Sequence, residues 1–77
     1  MERWLTPDER WALKCLKQEN AHDTEDRRIA ILDTLIEAGL ARIERSYFSR
    51  WAGRLHKVRE VTLSDRGFAA LKETTNA

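Results

Sequence analysis

The chain has 77 residues, of which 42% are hydrophobic and 35% charged, and its formal net charge is +1. That length makes one domain and excludes a large core, because so short a chain buries only about 60% of its unfolded surface and gains from dimerisation. Cys15 is the only cysteine, which excludes an internal disulfide and argues against a cysteine-built metal site.

Thr6-Pro7-Asp8-Glu9 predicts a helix start. Thr6 caps, Pro7 suits the first helical position, and Glu9 completes a capping box. Trp11, Ala12, Leu13, Cys15 and Leu16 follow as an apolar stripe, within which Cys15 is expected to be buried. The helix is expected to end near Glu19, with Asn20-Ala21-His22 as a short connection. Asp23 or Thr24 then caps a second helix, over residues 23–38 and the longest of the chain, with Ile29, Leu32, Leu35 and Ile36 on its inner face. Gly39 supplies a residue beyond the helix end where positive φ is favoured, and Leu40 packs back.

Residues 41–48 alternate, with Ile43 and Tyr47 on one side and Arg42, Glu44 and Ser46 on the other. Residues 55–63 alternate as well, and the pair predicts a hairpin with a six-residue connection, Ser49-Arg50-Trp51-Ala52-Gly53-Arg54, flexible at Gly53. Ser64 caps a last helix that turns Phe68 and Leu71 inward, and 74–77 form a frayed tail. The fold class is α+β: helix, helix, strand, strand, helix, in one domain over 1–77.

No chemistry of catalysis is visible. His22 and His56 lie in different elements, the three glycines at 39, 53 and 67 are isolated, and no cluster of His, Cys and carboxylates has metal-ligand spacing. Neither an enzyme nor a cofactor is expected. Met1-Glu2-Arg3-Trp4 lacks the apolar centre of a signal peptide, and no run approaches the roughly 18 apolar residues of a membrane span, so the expectation is a cytoplasmic protein without membrane contact.

Charge carries the functional signal. Residues 1–41 have a net charge of −3 and residues 42–77 a net charge of +4; within 42–59, six basic residues face one acidic residue. Arg42, Arg45, Arg50, Arg54, Lys57 and Arg59, with His56, suit phosphate contacts, and Trp51 among them suits sugar or base. On the second helix Thr24, Arg27, Arg28, Ile31 and Thr34 form the outward face. Arg27 and Arg28 there either read bases or pair with neighbouring carboxylates, since residues 23–38 carry five acids against two bases.

Leu35-Ile36-Glu37-Ala38-Gly39-Leu40 followed by Ala41-Arg42-Ile43 resembles the recognition-helix end and first wing strand of winged-helix regulators. Val61-Thr62-Leu63-Ser64-Asp65-Arg66-Gly67 resembles their second wing strand entering a helix, with Gly67 allowing close helix–strand contact. The resemblance covers about half of the chain. It implies duplex DNA as partner, with Thr24, Arg27, Arg28, Ile31 and Thr34 facing the groove and Arg50, Arg54 and Lys57 at the wing; a homodimer is expected from the chain's small size. About five residues separate the first two helices, so the support helix of a full helix-turn-helix is either reduced to a turn or formed at the first helix's expense. Three roles remain open. They are a small transcriptional regulator or phage accessory factor on DNA, a protein-binding module such as a phage-encoded inhibitor of a host complex, and a dimerisation domain using Trp4 or Trp51.

Overall fold

A helix of twelve residues, α1 (Pro7–Gln18), opens the chain in the computed structural model, which describes the backbone of residues 5–75 and the side chains of residues 5–72. Its capping box is formed as expected. The Glu9 amide donates to Thr6 Oγ1 at 3.1 Å, and the Thr6 amide donates to Glu9 Oε1 at 3.0 Å. Glu9, Ala12, Leu13 and Leu16 make up its buried row. Trp11 and Cys15 do not belong to it. They are an i,i+4 pair on the far side of the helix and both are exposed, because facing is set by the 3.6-residue period and not by apolarity.

The connection expected after α1 is a strand, β1 (Ala21–Thr24), and the second helix is correspondingly short: α2 covers only Ala30–Glu37. The side chains expected to start that helix are spent elsewhere. Asp23 Oδ2 accepts the Ile29 amide at 3.0 Å from within β1, and Thr24 Oγ1 accepts the Arg27 amide at 3.1 Å. These local bonds shape residues 25–29 into a loop in place of a first helical turn. Leu32 and Leu35 carry the buried face of α2. Its end follows the expectation. The Leu40 amide donates to the Leu35 carbonyl at 2.9 Å, the Gly39 amide to Ile36 at 3.0 Å, and Gly39 sits at φ +76°, a Schellman closure.

The hairpin is present and longer than expected. β2 (Ala41–Trp51) and β3 (Arg54–Leu63) are joined by Ala52 and Gly53 alone. Both turn residues are left-handed, at φ +54° and +73°, as a two-residue type I′ turn requires. The sheet order is β1-β3-β2, all antiparallel. A bulge at Glu44 shifts the register, since Ile43 lies opposite Val61 and Arg45 opposite Glu60. The extra residue inverts facing beyond it, so Ile43 and Tyr47, expected on one side, lie on opposite faces.

The last helix, α3 (Asp65–Thr75), begins at Ser64, whose Oγ accepts the Gly67 amide at 3.1 Å and donates to the Gly39 carbonyl at 2.7 Å. Gly67 lies against the Leu40 carbonyl with no room for a Cβ. Gly67 and Leu71 form the inward row, which leaves Phe68 exposed, contrary to its expected place in the core. Thr74 and Thr75 continue α3; Trp4, Asn76 and Ala77 lie outside the described residues. Leu13, Leu16, Leu32, Leu35, Leu40, Val61, Leu63 and Leu71 enclose the core at one end of a molecule measuring 48 × 18 × 17 Å. The far end is the ribbon. Among the described residues no helix is long and apolar enough to cross a membrane.

Candidate nucleic-acid interface

Cross-strand partners share a face, so the register sorts the ribbon into two sides. Ser49 opposite His56 and Trp51 opposite Arg54 lie on one; Phe48 opposite Lys57 and Arg50 opposite Leu55 lie on the other, continuous with the core face of the sheet. On that second side Phe48 is 64% and Leu55 57% exposed, interleaved with the two cations. Neither Arg50 nor Lys57 has an ion-pair partner among the described residues.

The remaining cations of the basic run are paired. Arg42 lies 2.8 Å from Glu44, Arg45 2.6 Å from Glu60, and Arg54 3.2 Å from Asp26. All three pairs are on the surface, where such pairs contribute little and yield to a competing anion. Arg59 differs. It meets Asp23 through Nε–Oδ1 at 2.6 Å and Nη2–Oδ2 at 2.9 Å, with Asp33 at 2.8 Å from Nη1, and both Asp23 and Arg59 are buried. Burial pushes the Asp23 carboxyl up, but the Arg59 hydrogen bonds, the Ile29 amide and the charges of Arg59 and Arg28 outweigh it and hold the group below its ordinary value. Arg59 is raised in turn, chiefly by its bond to Asp23. Glu60 is lowered by the side chain of Asn20, 2.9 Å away, and then by Arg45.

Of the residues expected on a groove-facing helix, only Ile31 and Thr34 are on α2, and the Thr34 hydroxyl donates to the Ala30 carbonyl at 3.4 Å. Thr24 ends β1. Arg27 and Arg28 are in the 25–29 loop, where the β1 bonds of Asp23 and Thr24 place them, and Arg28 lies 3.6 Å from Asp33. They therefore share no helical face with Thr34. Ile31 is half-buried toward the core. The exposed side of α2 carries Thr34 and Glu37, beside half-exposed Asp33, and no basic residue.

What the fold does bring together is Thr24, Arg27, Trp51 and Arg54. They line one cleft between the ribbon tip and the loop, with His22, Asp26, Ile29 and His56. Asp26 carries no sequence signal as a functional residue, and although Arg59 and His56 belong to the basic run, their pairing with Asp23 and Trp51 is not legible there, Asp23 lying 36 positions from Arg59. Phe48 and Leu55 are visible as apolar residues within the basic run, but their common face depends on the register. Comparisons with protein-family models, curated proteins and solved structures find no match for this chain.

Proposed function

We propose that this is a winged-helix-like protein that binds duplex DNA, with the β2–β3 ribbon as its wing and principal contact. The observation that carries this reading is the pair Arg50 and Lys57. These unpaired cations lie on a two-stranded antiparallel ribbon that projects past the core, a shape that a DNA groove admits. Arg42, Arg45 and Arg54 add charge when phosphates displace their surface carboxylates. The hairpin directly after the Schellman-closed helix, with α3 following it, supports the winged-helix resemblance, while β1 and the 25–29 loop stand where a full helix-turn-helix has its support helix. The acidic surface of α2 favours binding dominated by backbone contacts, with little base reading by that helix. A cytoplasmic regulator or accessory factor of a phage or other mobile element, acting as a homodimer, fits this size and surface.

Fluorescence anisotropy of a random-sequence duplex at several salt concentrations tests the reading. Affinity is expected to fall steeply with salt, and Arg50→Ala or Lys57→Ala each to lower the slope of log K against log salt by about 1. No binding of any duplex at low salt discards it. The exposed Phe48 and Leu55 favour one alternative, docking of a protein partner on the same ribbon face. In that case a purified complex survives nuclease treatment and is lost in Phe48→Asp, while Arg50→Ala leaves it intact.

A further inference from the structure

We propose that the cleft between the ribbon tip and the 25–29 loop takes one unpaired nucleotide, its base stacked on Trp51 and its phosphate on Arg27. The proposal rests on the nucleic-acid reading above and adds a contact that a wing does not need for duplex binding.

The tight turn puts Trp51 at the last position of β2, on the face it shares with His56. The two rings stack with centroids 3.8 Å apart and planes 9° from parallel. His56 is held at one edge by a hydrogen bond and faces Asp26 at the other. Nε2 lies 3.2 Å from the Trp51 carbonyl oxygen, Nδ1 lies 3.4 Å from Asp26 outside hydrogen-bond geometry, and the side chain is only 10% exposed. The imidazole is thus a backing plate that holds the indole in place. Trp51 itself stays 45% exposed, and its uncovered surface lines a cleft of about 680 Å³. That volume falls within the roughly 300–1,000 Å³ typical of small-molecule sites.

The opposite wall is also built before any ligand arrives. The Thr24 side chain takes the Arg27 amide, Asp23 takes the Ile29 amide, and the Glu25 amide donates to the Lys57 carbonyl at 3.3 Å. The charges in the cleft define the ligand. Asp23 is neutralised by Arg59, and Asp26 is engaged by Arg54 with His56 beside it. The guanidinium left over is that of Arg27. A flat, largely apolar body for the indole and one anionic group for Arg27 describe a nucleobase with its phosphate. A base inside a duplex is stacked on both faces by its neighbours and cannot offer itself to the indole, so the nucleotide must be unpaired. It can come from a single strand or strand end, or from a free mononucleotide.

The test follows the Trp51 indole N–H and the His56 ring by NMR on the full chain. Oligothymidylate, a blunt duplex of equal length and thymidine 5′-monophosphate are titrated in separate arms. The oligothymidylate is expected to shift both rings and to bind about tenfold or more tighter than the blunt duplex. Trp51→Leu is expected to remove that advantage, Trp51→Phe to keep most of it, and Arg27→Ala, in an exposed loop away from the core, to weaken it without altering the fold. Saturation by the mononucleotide as tightly as by the oligomer assigns the site to the free nucleotide. Equal affinity for duplex and single strand, with Arg27→Ala and Trp51→Leu both neutral, overturns the cleft and leaves the ribbon reading standing. Failure of every nucleic acid to bind overturns both.

Discussion

At the helical end Leu13, Leu35 and Val61 are sealed from solvent by three helices and the sheet; along the ribbon from Ser46 to Lys57 no residue is buried. The first region is ordered by area removed from water. The second is ordered by its backbone ladder, by a turn of fixed handedness, and by ion pairs that tie its root to β1 and its tip to the 25–29 loop. A substitution therefore acts differently at the two ends. Core changes are felt by the whole fold, whereas ribbon changes are felt by the surface it presents.

The largest effect expected from this contrast is at Leu35, which is fully buried. Leu35→Ala should cost about 2–5 kcal/mol. Total stability for a domain of this size is about 4–12 kcal/mol, so the variant is expected to lose a large fraction of it and to show a sharply lower urea midpoint. Phe48→Ser, at an apolar side chain of greater volume, should stay within about 0.5 kcal/mol, because that side chain is exposed in the folded and unfolded chain alike. Urea denaturation of the two variants side by side measures the difference. Comparable losses would mean that the ribbon packs on something in solution, which is the dimer expectation.

Next in size is the polar pin between the two ends. Asp23→Asn removes the charge that Arg59 faces inside the sheet and should cost about 2–3 kcal/mol, Asp33 remaining to partner the guanidinium. The same pair sets a pH dependence. Because Asp23 titrates below its unfolded value, the folded chain binds fewer protons than the unfolded one in the interval between the two. Its contribution is complete above about pH 4 and is lost as pH falls through the depressed folded value. Glu60 acts with the same sign. Urea midpoints measured from pH 6 down to pH 2 should fall for the parent chain and fall less for Asp23→Asn. Parallel curves would remove Asp23 as the titrating group.

These two residues also mark the limit of what the sequence discloses. The capping box at Thr6, the Schellman closure at Gly39 and the existence of the hairpin are all set by neighbours in the chain, and each is legible; the close approach at Gly67, to Leu40 of a distant segment, is legible only through the winged-helix resemblance. Asp23 is not. It looks like a helix cap, and Ala21–Thr24, of which only Thr24 favours a strand, becomes β1 because β3 offers it an edge. The same lack of long-range information gives the second helix seven residues too many at its start and puts Arg27 and Arg28 on a face they do not share. For the site, the basic run and Trp51 are visible in composition. Which cations are neutralised, and on which side each projects, follows from the bulge at Glu44 and the turn at Ala52, which alternation alone does not locate.

The smallest effect expected has the opposite sign. Ala52 is the one non-glycine residue at positive φ among those described, at +54°, a conformation that costs an L side chain about 1 kcal/mol. Asn tolerates this region better, and Ala52→Asn creates Asn-Gly, the pair a type I′ turn favours. The gain should be about 0.5–1 kcal/mol, and it should be local. The ribbon is able to fray from its tip without exposing Leu13 or Leu35, so stabilising the turn slows fraying and leaves the core's opening untouched. Amide exchange should slow for residues near the turn, from Ser49 to His56, while exchange in α1 and the urea midpoint barely move. Protection spreading into the helices would mean that ribbon and core open as one unit, and the division between the two regions would then be one of packing only, not of cooperativity.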